Sequence, residues 1–266
     1  MRKLGLIAGG GGLPLTLARH CRVVGRPLHV IRLAGFASPE LDEFDGETRG
    51  LIDFAGAFKA LRVAGCEAVC FAGTVTRPDL TSPEATSVPA EVIAARGADD
   101  ALLSAVVARF QAAGFVVEGA HEVMATLTLA RGRLGRIAPS ARDAADIERA
   151  MAVARAVGAL DVGQGAVCRD GLVLAVEAAE GTDAMLRRVP ELKSGSGGVL
   201  AKASKPGQDL RVDLPTIGPV TVELAAAAGL AGIAGESGRV LVIDRDETIR
   251  LADELGLFVV GVGLSP

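Results

Sequence analysis

The chain has 266 residues, half of them hydrophobic, with no Trp or Tyr, eight Phe and a net charge of −4. That length suits one large domain or two medium ones, and an apolar fraction dominated by Ala, Gly, Val and Leu is the usage of α/β proteins. The acidic balance, with no interleaving of aromatic and basic residues, excludes a nucleic-acid footprint.

Residues 3–8 are expected to form a strand, whose uncharged run from Leu4 to Ala8 suits burial on both faces. Met1-Arg2-Lys3 before it could open a signal peptide, but the run passes straight into Gly9–Gly12, so it is expected to be a first strand. A tight glycine loop precedes a helix over Leu13–Val24, and Leu28–Leu33 is a second strand. This is the opening of a nucleotide-type βαβ unit. As a dinucleotide fingerprint it is poor, because Leu13 and Pro14 stand in the wrong places and no acidic residue ends the second strand. With no Tyr in the chain, a nicotinamide-dependent oxidoreductase is disfavoured. The glycines Gly10, Gly11 and Gly12 still allow backbone N–H groups to approach a ligand, or else make only a tight strand–helix turn.

A helix is expected over Gly56–Ala64 and a third strand over Glu67–Ala72. That strand ends on Gly73-Thr74, which joins the glycine loop as a rim at strand carboxyl ends, where open α/β sheets bind ligands. Residues 79–90 read as loop, 101–113 as helix and Phe115–Glu118 as a fourth strand ending near His121. A lone histidine there is more often structural than catalytic. The arginine- and glycine-rich stretch 127–140 is expected to be an interdomain linker. No apolar run reaches the roughly 20 residues of a membrane span. Cys21, Cys66, Cys70 and Cys168 fit no zinc spacing and read as reduced thiols of a cytoplasmic protein.

The second half opens with a helix over Arg142–Val157. Gly163–Cys168 and Leu172–Glu177 flank Asp170-Gly171, the strongest short hairpin cue. Thr182 is placed to cap a helix over Asp183–Val189, which gathers Glu177, Thr182 and Asp183 at one helix start. Lys193–Gly198 reads as a Gly/Ser turn. Val199–Gly229 then presents Lys202 and Lys205, a polar turn, a strand-like run ending on Asp213-Leu214-Pro215-Thr216, and a helix entered at Gly218-Pro219 and closed by Gly229. Two lysines and a carboxylate near a helix N-terminus suit a phosphate-bearing ligand, with Asp213 holding a metal or orienting water; the alternative is that Asp213 and Thr216 only brace a turn. Three further strands, over 231–234, 239–243 and 257–262, and a helix from Asp246 to Leu255 close the chain.

The blocks "LGLIAGGGGLP", "GAHEV", "LDVGQGAVCRDGLVLAVEAAEGTDAMLRR" and "LAKASKPGQDLRVDLPTIGP", with "GLAGIAGE" and "LGLFVVGV", resemble the LpxI family nearly end to end. These are UDP-2,3-diacylglucosamine pyrophosphatases of lipid A biosynthesis. The residues are expected to form an α/β chain of two domains, a Rossmann-like parallel sheet over 1–134 and a smaller mixed α/β domain over 135–266, and the resemblance implies a two-domain fold with the substrate between the domains. It implies hydrolysis of UDP-2,3-diacylglucosamine to 2,3-diacylglucosamine 1-phosphate (lipid X) and UMP with Mg²⁺ or another divalent metal. The essential carboxylate, also the metal ligand, falls on Asp213 in the second domain. Gly10, Gly11, Gly12, Gly73 and Thr74 would face the uridine–diphosphate end. Gln164, Thr182, Asp183 and Lys202 would line the diphosphate and glucosamine, with Thr216 beside them. The two acyl chains need cover from Leu, Val, Ile and Phe. A cytoplasmic location, a peripheral place at the inner membrane and a homodimer are all compatible with that activity. A non-catalytic nucleotide-sugar or lipid-phosphate binder is the alternative, and metal dependence separates the two.

Overall fold

In the computed structural model, which describes residues 1–76, 88–95, 99–192 and 195–263, the chain divides into two compact units. The first is Met1–Ala125 with Asp209–Asp213, and the second is Thr126–Gln208 with Leu214–Pro266. The expected loop at 79–87, Arg77-Pro78 before it and the start of the expected Gly/Ser turn at Lys193 and Ser194 lie outside the described residues.

In the first unit β1 (Leu4–Ala8), β2 (Leu28–Leu33), β3 (Gly46–Arg49), β4 (Ala68–Ala72) and β5 (Val116–Val117) form one parallel sheet, ordered β3-β2-β1-β4-β5. All five residues of β1 are buried, as its unbroken apolar run requires. Strand order reverses beside β1, so the turns after β1 and β4 meet at the switch point. Helices α1 (Leu13–Val23), α2 (Phe54–Val63), α3 (Ala90–Ala94) and α4 (Asp99–Ala112) lie between successive strands, and α5 (Ala120–Val123) follows β5. Asp53 caps α2 by accepting from the Gly56 N–H at 2.9 Å.

With no Trp or Tyr to fill it, this core is built on phenylalanine. Phe110 meets Phe58 and Phe71 edge-on, at centroid distances of 4.8 and 4.9 Å. Val212 is buried in the same cluster, which is why Asp209–Asp213 group with the first unit although 83 residues of the second precede them in the chain.

In the second unit a six-stranded mixed sheet is ordered β6-β13-β11-β9-β7-β8. Its strands are β6 (Gly132–Leu134), β7 (Gly165–Arg169), β8 (Leu172–Val176), β9 (Val199–Lys202), β11 (Gly232–Glu236) and β13 (Phe258–Val262). β9, β11 and β13 run parallel, while β6, β7 and β8 add antiparallel pairings. A separate parallel pair joins β10 (Thr216–Ile217) to β12 (Leu241–Val242). The helices are α6 (Ala141–Ala159), α7 (Gly181–Leu192), α8 (Pro219–Ala227) and α9 (Arg245–Glu254). Asp170 and Gly171, at φ 55° and 74°, make the expected β7–β8 turn, and the buried Asp146 carboxylate accepts from both of their N–H groups at 3.0 and 2.8 Å.

Several expected elements differ. The stretch 127–140 is not a free linker: β6 pairs with β13, and Leu129 and Leu134 are buried in the second core. The division by contacts therefore falls at 125/126, where the expected boundary was 134/135, and the second unit is not the smaller one. His121 lies on the short helix α5, not at a strand end. Gly158 lies inside α6 rather than ending it. Thr182 does not cap α7, which starts at Gly181; its hydroxyl donates to Glu177 instead. The run before Asp213 is a turn held by hydrogen bonds between Asp209 and Arg211, not a strand. The last helix follows Asp244 rather than Asp246. Among the described residues no helix is long and apolar enough to cross a membrane.

Candidate functional site

The sequence points to two groups of side chains and one carboxylate. In the first unit the rim at the carboxyl end of the sheet is a close backbone fit. The Gly10 N–H donates to the Thr74 carbonyl at 2.8 Å, and the Thr74 N–H returns a bond to the Gly10 carbonyl at 3.0 Å. Gly73 takes φ +90°, and a Cβ there would collide with the Gly10 carbonyl oxygen and lie 2.8 Å from the Pro14 ring. The structure thus brings Gly10 together with Gly73 and Thr74. Gly11, at φ +80°, and Gly12 are exposed ahead of α1, whose start has no side-chain cap. Gly73→Ala is expected to lower stability by about 2 kcal/mol or more, since it adds left-handed strain to a backbone clash. A urea-unfolding midpoint checks it.

In the second unit, Lys202 ends β9 with only 6% of its surface exposed. Its Nζ donates to the Thr182 hydroxyl at 2.6 Å and to the Thr216 carbonyl at 3.3 Å. The Thr182 hydroxyl in turn donates a hydrogen bond to Glu177 Oε1 at 3.0 Å, and Glu177 Oε2 lies 4.0 Å from Lys202 Nζ. Glu177 Oε2 is buried with no hydrogen-bond partner among the described residues. Glycines allow this packing: a Cβ on Gly163 would strike the Glu177 carbonyl, and one on Gly165 would come within 2.5 Å of Glu177 Oε2. Lys202, Thr182 and the Thr216 backbone therefore meet; Gln164 is tied to the chain just after Lys202 through its backbone carbonyl, which accepts from Ala203 N–H at 2.9 Å. The Thr216 hydroxyl turns to the Leu214 carbonyl at 3.2 Å, and Asp183 is exposed in the first turn of α7.

Glu177, which the sequence gathers with Thr182 and Asp183 at one helix start, is the carboxylate that meets both Thr182 and Lys202. A second buried cluster was not foreseen. Glu236, 3% exposed at the end of β11, accepts from Arg155 Nε at 2.7 Å and from the Ser204 N–H and hydroxyl at 3.1 and 2.9 Å. Lys205, also 6% exposed, donates to Asp161 at 2.6 Å. These bonds fix the loop that leaves β9, so Lys205 braces that loop where the sequence placed a second free cation.

Asp213 is exposed and takes φ +58°, the left-handed region that costs most L-residues about 1–2 kcal/mol and that Asp tolerates better. Strain of this kind gathers at functional sites. The turn that carries Asp213 is held by Asp209 and Arg211, whose side chains pair at 2.6 to 3.2 Å. The hydrogen bond from Arg211 holds the Asp209 carboxyl below its ordinary 3.8. A depressed carboxyl stabilises the fold above its ordinary value and loses that contribution as pH falls through its lower folded value. Acidification below pH 4 is therefore expected to loosen 209–213 in the native chain, and less so in Asp209→Asn, as amide hydrogen exchange of those residues would report.

No group of three or more His, Cys, Asp or Glu side chains able to hold a metal occurs among the described residues. All four cysteines are free and buried, and burial pushes the Cys70 thiol upward. A hard cation shared between one carboxylate and a ligand's phosphates needs no such cage, because Mg²⁺ keeps several waters and is often held by one or two carboxylates. An exposed Asp213 carboxylate fits that mode of binding.

The LpxI N-terminal domain model matches residues 3–127 and the LpxI C-terminal domain model matches residues 130–260. A UDP-2,3-diacylglucosamine pyrophosphatase LpxI of Caulobacter vibrioides is 57% identical over 274 aligned residues, which cover 98% of each chain. With both family domains matched in order along almost its whole length, this chain belongs to the LpxI family.

Proposed function

We propose that the chain hydrolyses the diphosphate of UDP-2,3-diacylglucosamine, yielding 2,3-diacylglucosamine 1-phosphate (lipid X) and UMP, with a divalent metal such as Mg²⁺. The observation that carries this reading is the near full-length identity to a UDP-2,3-diacylglucosamine pyrophosphatase. Water adds to one phosphorus and the bridging P–O bond breaks; the water's hydroxyl stays on the attacked phosphorus, its other proton goes to the departing phosphate oxygen, and two phosphomonoesters result.

Asp213 is the residue to hold the metal, which when bound neutralises diphosphate charge that would repel an incoming nucleophile. Lys202 supplies a fixed cation for non-bridging oxygens, and its tie to Thr182 and Glu177 means that little reorganisation is needed to present it. Gln164, Thr182, Asp183 and Thr216 line the sugar and diphosphate beside it. Gly10, Gly11, Gly12, Gly73 and Thr74 offer backbone groups at the sheet's carboxyl end, where side chains would obstruct a nucleotide. A cytoplasmic enzyme, alone or as a homodimer, would reach its diacylated substrate at the inner-membrane surface. Cosedimentation with anionic vesicles tests that association, and an absence of cosedimentation would remove it.

The test of the activity is UMP release from UDP-2,3-diacylglucosamine. Release is expected with Mg²⁺, to stop on chelation and to return when Mg²⁺ is restored. Tight UDP-sugar binding that is indifferent to chelation, without UMP, would instead identify a binding protein.

A further inference from the structure

The first unit holds an apolar cavity of about 180 Å³ at the carboxyl end of its sheet, bordered by Gly9 and Gly73. Its walls include Ile31 and Leu33 of β2, Phe71 of β4, and Leu102, Leu103 and Phe110 of α4. An apolar cavity of about 150 Å³ stays dry and takes up apolar guests. Well-packed cores leave few voids of this size, and each costs stability unless something fills it.

One polar group at the cavity is unusual. Arg49 lines it, and Arg49 Nε is buried with no hydrogen-bond partner among the described residues. The rest of its guanidinium is held, with one amino nitrogen on Glu47 and the other 3.7 Å from Asp53. Among the described residues the cavity thus offers largely hydrocarbon walls, with the Arg49 and Asp53 side chains at its lining and Arg49 Nε as a spare donor. A fatty acyl group presents the complement, a run of methylenes ending in a carbonyl oxygen that only accepts. A pyrimidine base fits less well, because its imide edge needs both donors and acceptors and the walls are aliphatic and phenyl.

We propose that this cavity is a subsite for one acyl chain of the diacylated substrate, with Arg49 Nε donating to the acyl carbonyl. The proposal rests on the activity inferred in the preceding subsection. It makes Leu103, half-buried on α4, a determinant of chain length. Each methylene that enters the cavity contributes about 0.8 kcal/mol, equivalent to about fourfold in affinity.

The experiment compares the native chain with Leu103→Phe and Leu103→Ala on UDP-2,3-diacylglucosamines of graded acyl length. KM is read from UMP release, and calorimetric binding of the same compounds is measured without metal. KM and Kd are expected to fall about fourfold per methylene and then level off. The levelling should come one or more methylenes earlier in Leu103→Phe and later in Leu103→Ala, with all three proteins melting cooperatively. A length dependence identical in the three would overturn the proposal. So would loss of UMP binding in Leu103→Phe with acyl-length dependence unchanged, which assigns the cavity to the nucleotide. If the native chain releases no UMP from any compound, the inferred activity fails; the calorimetric series then still decides the cavity, through the presence or absence of the Leu103-dependent shift.

Discussion

Asp213→Asn is expected to lower kcat for UMP release by about a thousandfold or more, while Kd for the substrate measured without metal changes by less than about threefold. A thousandfold corresponds to roughly 4 kcal/mol of lost transition-state stabilisation. The choice of Asn follows from the backbone. At φ +58° an alanine would bring its own strain, so a loss of activity in Asp213→Ala mixes two effects. Asn tolerates the left-handed region and keeps the shape, removing only the charge. Asp213→Gly completes the set: it relieves the strain and is expected to hold or raise stability while still losing activity. Stopped kinetics in all three substitutions, with folding preserved in Asn and Gly, would place the carboxylate at the chemical step. Activity within tenfold of native in Asp213→Asn would remove it from the mechanism and leave it as the brace of a turn.

The second large effect is expected at Lys202. Lys202→Met keeps much of the apolar stem but removes the ammonium that meets Thr182, the Thr216 carbonyl and, at 4.0 Å, Glu177. Side-chain exposures of 8% and 13% for Lys202 and Glu177 leave little solvent screening of the abandoned carboxylate. Breaking a buried pair on one side costs about 3 kcal/mol or more, since the remaining charge is left without its partner. Lys202→Met is therefore expected to lower the urea midpoint substantially. Lys202→Met/Glu177→Gln should recover much of that stability, because no unpaired charge remains. Neither protein should recover turnover, and kcat is expected to fall at least a hundredfold in both. Recovery of activity together with stability in the double variant would show that Lys202 serves the fold alone.

The parts of this fold that were legible in the sequence are those set by local chemistry. The apolar run of Leu4–Ala8 ends at glycines, and the strand ends there too. Asp170-Gly171 turns because both residues accept positive φ, and Gly218-Pro219 and Gly229 bound α8 for equally local reasons. Some short elements were not legible. β10 has two residues and exists only because Thr216 and Ile217 lie alongside Leu241 and Val242, whereas β12 falls inside the strand expected over Arg239–Ile243. β6 lies in an arginine–glycine stretch that looks like linker, and it is a strand because β13 offers it a free edge. Thr182 has the composition of a helix cap, yet its hydroxyl is drawn to Glu177 and Lys202.

The sequence by itself determined the family, the α/β class, the glycine rim and the identity of Asp213 as the carboxylate to test, because these depend on residue types in fixed order along the chain. The tertiary structure alone decided which side chains meet. Lys202 reaches Thr182 across 20 residues of chain, Glu236 holds Ser204 across 32, and Val212 places the Asp213 turn with the phenylalanine core of the first unit. Pairings of this kind depend on sheet order and on how much room glycines such as Gly163 and Gly165 leave beside a neighbouring strand, and neither is a property of any local stretch of residues.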